Sequence, residues 1–165
     1  MKEIIGDGDI AKVLKDVDKD VLFFASGVSN SKEERESEFK READLLNKQK
    51  KDKHLVYFSS LATFEKESPY YLHKRIMEQL VKTFPHHTIV RLGNITFGSN
   101  PNTLINGLKN KIKNGETLEI RDEYRYIVDK DEFLYWINRI PKWNCEMSIV
   151  GKRMKVIDVV KEYVL

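Results

Sequence analysis

Val56-Tyr57-Phe58-Ser59-Ser60-Leu61-Ala62-Thr63-Phe64, and shortly after it Ser68-Pro69-Tyr70-Tyr71-Leu72-His73-Lys74, decide how this chain is read. The first segment is an apolar strand that ends in a hydroxyl pair. The second opens with Ser-Pro, a helix start, because proline at the first helical position loses no hydrogen bond there. Tyr70 and Lys74 then stand four apart, one above the other on a single helix face. A phenol over an ammonium is suited to proton transfer, since the cation stabilises the phenolate. A hydroxyl at the end of the neighbouring strand, Ser60, completes a candidate site. The spacing alone is weak evidence: with seven tyrosines in a lysine-rich chain, about one chance Tyr-x-x-x-Lys match is expected. A second match, Tyr126 to Lys130, lacks the strand and Ser-Pro context and is read as coincidence.

Short apolar runs alternate with longer amphipathic ones on both sides of this segment. Glu3–Ile5, Val21–Phe24, Leu55–Phe58 and Thr88–Val90 read as strands buried on both faces. Asp9–Val17, Lys32–Lys50 and Pro69–Phe84 read as the helices between them. This alternation predicts an α/β fold with a doubly wound parallel sheet and right-handed crossovers. Beyond residue 98 the pattern loosens. Thr103–Asn114, Asp131–Ile140 and Lys155–Val164 read as helices, and Leu118–Ile120, Tyr126–Val128 and Ser148–Val150 as short strands. The expected organisation is a core over 1–98 and a small, dependent C-terminal cap over 99–165.

Gly6-Asp7-Gly8-Asp9-Ile10-Ala11 follows the first strand and opens the first helix, fitting the G-x-G-x-x-A turn that lets a backbone approach a pyrophosphate. The alternative is a plain strand-to-helix turn with Asp9 as its cap. Asp7 and Asp9 put negative charge where a phosphate would lie. The acid that usually meets the adenosine ribose is missing, because the next strand arrives by Val21.

Composition narrows the classes. At 165 residues, 41% hydrophobic and 33% charged, the chain suits one globular core. No apolar run approaches the ~18 residues of a membrane span, and no leader pattern opens the chain. The single Cys145 excludes an internal disulfide framework, no Cys/His spacing suits a metal, and a reducing cytoplasm is the expected compartment. The basic run Lys48–Lys53 is broken by Asp52 and reads as a solvated helix end, not a nucleic-acid patch. Trp136 and Trp143 read as packing residues, and His73 as a bystander on the helix.

In order, these segments resemble the short-chain dehydrogenase/reductase superfamily, in its extended branch of NAD-dependent epimerases and dehydratases. The resemblance implies a Rossmann-like fold of reduced strand number, since a full member has two more strands and helices between Ala11 and Val21. It implies Ser60, Tyr70 and Lys74 as catalytic residues: Tyr70 the general acid/base, Lys74 the holder of the nicotinamide ribose, Ser60 the group that polarises the reacting hydroxyl or carbonyl. Gly6, Gly8, Ile10 and Ala11 of the glycine turn, with Ala25 and Ser26 after the second strand, would meet NAD or NADP. Val90–Gly98 (VRLGNITFG) and Arg125–Asp131 (RYIVDKD) resemble the family's sugar-nucleotide segments, giving Asn94 and Arg125 as substrate contacts. The implied activity is epimerisation, dehydration or reduction of a nucleotide-sugar in surface polysaccharide assembly, in a homodimer paired through the helices at 32–50 and 69–84. The alternative is a non-catalytic module of the same fold that binds a nucleotide or sugar nucleotide.

Overall fold

The computed structural model describes residues 1–165. Five parallel strands form the main sheet: β1 (Glu3–Ile5), β2 (Leu22–Phe24), β3 (Leu55–Ser60), β4 (His87–Leu92) and β7 (Cys145–Ile149), adjacent in that order. The helices α1 (Asp9–Leu14), α2 (Glu36–Asn47), α3 (Pro69–Val81) and α5 (Lys130–Ile137) cover its two faces. Alternation along the strands assigns the faces. Phe23, Val56, Phe58 and Val90 point to one core layer with Leu14 of α1 and Phe133 and Ile137 of α5. Leu22, Phe24, Leu55, Tyr57 and Ile89 point to the other, with Leu46 of α2 and Met77 and Val81 of α3. The sheet is buried on both sides, as expected for continuous apolar strands.

This arrangement corrects one expectation. The steps β1 to β2, β2 to β3 and β3 to β4 all run the same way across the sheet. The helices α2 and α3 lie on one face and α1 on the other, so β1–α1–β2 has the opposite hand to the two crossovers that follow. Uniform right-handedness, the usual outcome, is therefore not met. The reason is local: the sheet stops at β1, so α1 has no strand on its far side to lead to and returns to β2 directly. The connections leaving β1 and β2 consequently go to opposite faces and open a crevice at the strand ends between them, where ligands of open α/β sheets bind.

The edge strand β1 is short and guarded. Glu3 N–H donates to the Val21 carbonyl and the Ile5 carbonyl accepts from Ala25 N–H, which leaves only Ile4 with outward backbone groups. Lys2 Nζ donates to the carbonyls of Leu14, Lys15 and Val17 at 3.2, 2.8 and 2.7 Å, closing the end of α1 at Leu14, short of the predicted Val17.

A three-stranded second sheet, β5 (Asn94–Ile95), β6 (Tyr124–Val128) and β8 (Lys152–Lys155), packs against α4 (Leu104–Lys113) and the final helix through Ile105, Ile127 and Val159. That final helix is one α turn, α6 (Val156–Val159), continued by a wider π turn over Val160–Val164. Two further expectations change here. Leu118–Ile120 is not a strand, while Asn94–Ile95 and Lys152–Lys155 are. Trp136 and Trp143 are 41% and 71% exposed, not packed. The region after residue 98 also supplies β7, the fifth strand of the main sheet, and α5, which fills one of its cores.

Candidate active site

The crevice is a cleft of about 1170 Å³ at the C-terminal ends of the strands. Of the residues singled out in the sequence, Gly8, Ile10, Ala25, Ser26, Ser60, Tyr70, Lys74, Asn94 and Arg125 line it; Gly6 and Ala11 do not. Gly6 instead makes the close approach of β1 to β2. Its φ is +123°, and a Cβ there would lie 2.3 Å from the Ala25 carbonyl oxygen. Gly6→Ala is expected to cost at least about 2 kcal/mol, from positive-φ strain plus backbone overlap, read as a lower denaturation midpoint. Ala11 is buried within α1.

Backbone architecture delivers the hydroxyls. Ser59 and Ser60 point to opposite faces at the end of β3. Ser59 is buried, with its Oγ on Glu78 Oε2 at 2.8 Å and Thr63 Oγ1 at 3.1 Å. Ser60 caps the 3₁₀ turn over Leu61–Phe64, accepting from Ala62 N–H at 3.2 Å, which leaves its own proton to donate into the cleft. Ser68 caps α3 by accepting from Tyr71 N–H, with Pro69 in the first turn, as the Ser-Pro signal predicts. The Tyr70 ring is buried against Val28 and Phe39 and edge-on to Tyr71. Its hydroxyl has no partner within the chain, and no buried polar side-chain atom lacks one, so that hydroxyl opens to the cleft. Lys74 Nζ lies 5.6 Å from the Tyr70 ring centroid, which favours Tyr70 over Tyr71 as the partner of the lysine.

The lysine is held from behind. Glu42 of α2 is fully buried, and its carboxylate accepts from Val28 N–H at 2.8 Å and from the Tyr57 hydroxyl at 2.5 Å. His73 Nε2 lies 3.0 Å from Glu42 Oε1, and the Lys74 ammonium donates to the same oxygen at 3.4 Å and to the Tyr57 hydroxyl at 3.2 Å. His73 is thus a buried member of this network, stacked on Phe39, and not a bystander. Burial opposes the Glu42 charge, but the Lys74 ammonium and the His73, Tyr57 and Val28 donors outweigh it and bring the carboxyl from 4.5 to about 2. Burial, then the Glu42 charge, push Tyr57 well above the usual phenol range. The unfolded chain binds the Glu42 proton first as pH falls. This contribution is therefore complete above pH 4.5 and lost between there and 2; it is of order 3 kcal/mol, and acid unfolding followed by circular dichroism measures it.

The sequence held a signal for this network that went unread. Glu42 lies between Phe39 and Leu46 on the core-facing stripe of α2, where a carboxylate must find buried partners.

Asp9 is not the helix cap; Gly8 occupies that position, and the Asp9 carboxylate reaches across the cleft mouth. It accepts from Ser99 N–H at 3.0 Å and Asn100 N–H at 2.8 Å, tying the glycine turn to the 98–100 turn. Asn94 donates its amide to the Tyr126 carbonyl at 3.1 Å. Arg125 pairs with Glu123 at 2.7 Å. Eight basic side chains line the cleft (Lys12, Lys32, Arg41, Lys66, Lys74, Lys111, Arg121, Arg125) against five acidic ones. Three of those acids are engaged, Asp9 by loop amides, Glu38 by Arg41 and Glu123 by Arg125, and Lys74 is paired with Glu42, which leaves Lys12, Lys32, Lys66, Lys111 and Arg121 against Asp7 and Glu119. At the Arg125 end, burial and then the Arg125 charge lower the Lys66 ammonium. The cleft therefore favours anionic ligands.

A dinucleotide finds part of its cradle. A Cβ placed on Gly8 would meet nothing within 4 Å, so the turn admits the close approach of a diphosphate. No group of His, Cys, Asp and Glu side chains is placed to hold a metal ion.

No protein-family model matches the chain, and no curated protein does. Solved structures do. The Bordetella bronchiseptica enzyme WbmG in complex with NAD and UDP superposes with TM-score 0.66 at 16% identity, over 87% of this chain and 56% of that one. A UDP-galactose 4-epimerase gives 0.65 at 13% identity, over 90% and 62%. The capsular polysaccharide assembling protein CapF from Staphylococcus aureus gives 0.55 at 20%, over 91% and 46%. The chain spans about half the length of WbmG, 53% and 56% of its two structures. It shares the Rossmann-like fold of these solved structures in a shortened form, a five-stranded parallel sheet flanked by helices.

Proposed function

We propose that this chain is an NAD(P)-dependent protein acting on a nucleotide-sugar by epimerisation, dehydration or reduction, in the cytoplasmic stage of surface polysaccharide synthesis. The observation that carries the reading is the convergence of Ser60, Tyr70, Asn94 and Arg125 on one cation-rich cleft, at the switch point of a sheet shared with an enzyme solved with NAD and UDP. In this reading Gly8, Ile10, Ala25 and Ser26 line the dinucleotide's path, with Gly6 and Ala11 shaping the turn beneath it. When bound, the nicotinamide supplies a hydride acceptor or donor. The open Tyr70 hydroxyl gives or takes the proton at the reacting sugar oxygen, and Ser60 donates a hydrogen bond to that oxygen. Asn94 offers its amide oxygen to the substrate, while Arg125, with Lys66 and Arg121 beside it, meets the diphosphate.

The experiment is a titration of the folded chain with NADH and NADPH, watched by nicotinamide fluorescence, with and without a UDP-sugar. Saturable binding supports the reading; its absence from a folded chain removes it.

Two observations favour a second reading, a non-catalytic sugar-nucleotide binding module. Lys74 is engaged by Glu42, and the sheet ends at β1, where the adenosine of a dinucleotide would need further walls. That reading expects UDP-sugar binding without dinucleotide.

A homodimer belongs to the same proposal. The stripe Phe39, Ala43 and Leu46 of α2 serves the chain's own core, so pairing would rest on α3, whose Leu72 and Ile76 are 54% and 51% exposed one turn apart. Light scattering is expected to give twice the chain mass, falling to one with Leu72→Glu/Ile76→Glu.

A further inference from the structure

The geometry points to Glu42 as a positioning residue that turns the Lys74 ammonium inward, so that a ligand in the cleft meets Tyr70 without meeting that ammonium.

Lys74 borders the cleft yet is only 3% exposed. Its two polar partners, Glu42 Oε1 and the Tyr57 hydroxyl, both lie in the interior. The wall in front of it is close: a Cβ on Gly27 would lie 2.8 Å from Nζ and 3.3 Å from Glu42 Oε2, so the loop after β2 passes directly over the ammonium. The next residue, Val28, closes the cage by donating its N–H to Glu42. An ammonium with a buried carboxylate for a counter-ion has no electrostatic reason to leave it. One without it must reach water, and the cleft is the nearest water. Glu42 thus decides whether the lysine serves the interior or a bound ribose. No other carboxylate contacts Lys74, and Glu42 does not itself line the cleft, so it acts there through Lys74 and through Val28, whose N–H it accepts.

The test has two arms. In the first, the folded chain is reductively methylated with limiting reagent and the sites are mapped by mass spectrometry. Lys74 is expected to react about 100-fold more slowly than the cleft lysine Lys66. Glu42→Gln, which keeps hydrogen bonds to Tyr57 and Val28 but removes the charge, is expected to bring Lys74 to within about tenfold of Lys66, whereas Glu42→Asp restores protection. Lys74 reacting like Lys66 in the native chain overturns the inference, as does Lys74 in folded Glu42→Gln staying as protected as before. Should Glu42→Gln not fold, Tyr57→Phe, which keeps the carboxylate, must leave Lys74 protected; its exposure there also overturns the inference. The second arm rests on the dinucleotide reading above. Glu42→Gln is expected to bind NADH about 10- to 100-fold more tightly, the value of one charge-assisted hydrogen bond to the ribose, and Glu42→Gln/Lys74→Met to lose that gain. A gain that persists in the double variant overturns the positioning role. Absence of NADH binding from every variant, with the labelling pattern as expected, removes the dinucleotide reading and upholds the role of Glu42.

Discussion

Tyr70→Phe is expected to lower turnover of a nucleotide-sugar by about 10²- to 10⁴-fold, the range for losing a positioned general acid/base. The substitution isolates chemistry from folding. The Tyr70 ring packs against Val28 and Phe39, and phenylalanine keeps that packing. The hydroxyl has no partner in the chain, so its removal strands no buried group and changes unfolding free energy by less than about 1 kcal/mol. Steady-state assays beside a denaturant titration separate the two effects. A loss confined to kcat, with KM within about threefold, identifies a group that acts in the transition state. The binding-module reading makes the opposite forecast: no turnover to lose, and UDP-sugar affinity altered by less than about tenfold. Ser60→Ala tests the same hydroxyl system at its other member, but is a poorer probe, because Ser60 also caps the 3₁₀ turn.

Glu42→Ala is expected to be among the most destabilising single substitutions in the chain, costing about 3–5 kcal/mol. It removes the counter-ion of the Lys74 ammonium, 3% exposed in the native fold, which then either stays unpaired or gives up its packing to reach the cleft, and takes a partner from the buried Tyr57 hydroxyl, His73 and the Val28 N–H. Against a typical net stability of 5–15 kcal/mol, that is enough to unfold a marginal domain at physiological temperature. Glu42→Ala/Lys74→Met is expected to recover part of the loss, because the uncompensated charge is gone. A double-mutant cycle in urea measures the coupling, and additivity between the two sites would show that the pair does not interact. At the alkaline end, Tyr57 stays protonated in the fold while the unfolded chain ionises near pH 10, so its contribution falls as pH rises above that value.

Most of the main sheet is legible because its strands are short apolar runs bounded by turn residues, and α3 carries a cap that can be named, Ser68 before Pro69. The helix-to-strand alternation and the Ser60, Tyr70, Lys74 segment come from local spacing. What failed was long-range. Residue type alone makes the tryptophans packing residues, yet their positions at α5 and the turn before β7 leave Trp136 41% and Trp143 71% exposed. Leu118–Ile120 has strand-like residues but no neighbour to pair with, while the two-residue β5 exists only because β6 lies beside it.

The sequence by itself determined the first four strands of the main sheet, the helices between them and their order, since these follow from periodicity and composition within a few turns of chain. Only the tertiary structure decided the hand of the first crossover, the tie of Asp9 to the 98–100 turn, and the engagement of Lys74 by Glu42. Each joins residues far apart in the chain, and a charge takes its partner from whatever folding brings within a few ångströms in a low-dielectric interior, not from its sequence neighbours.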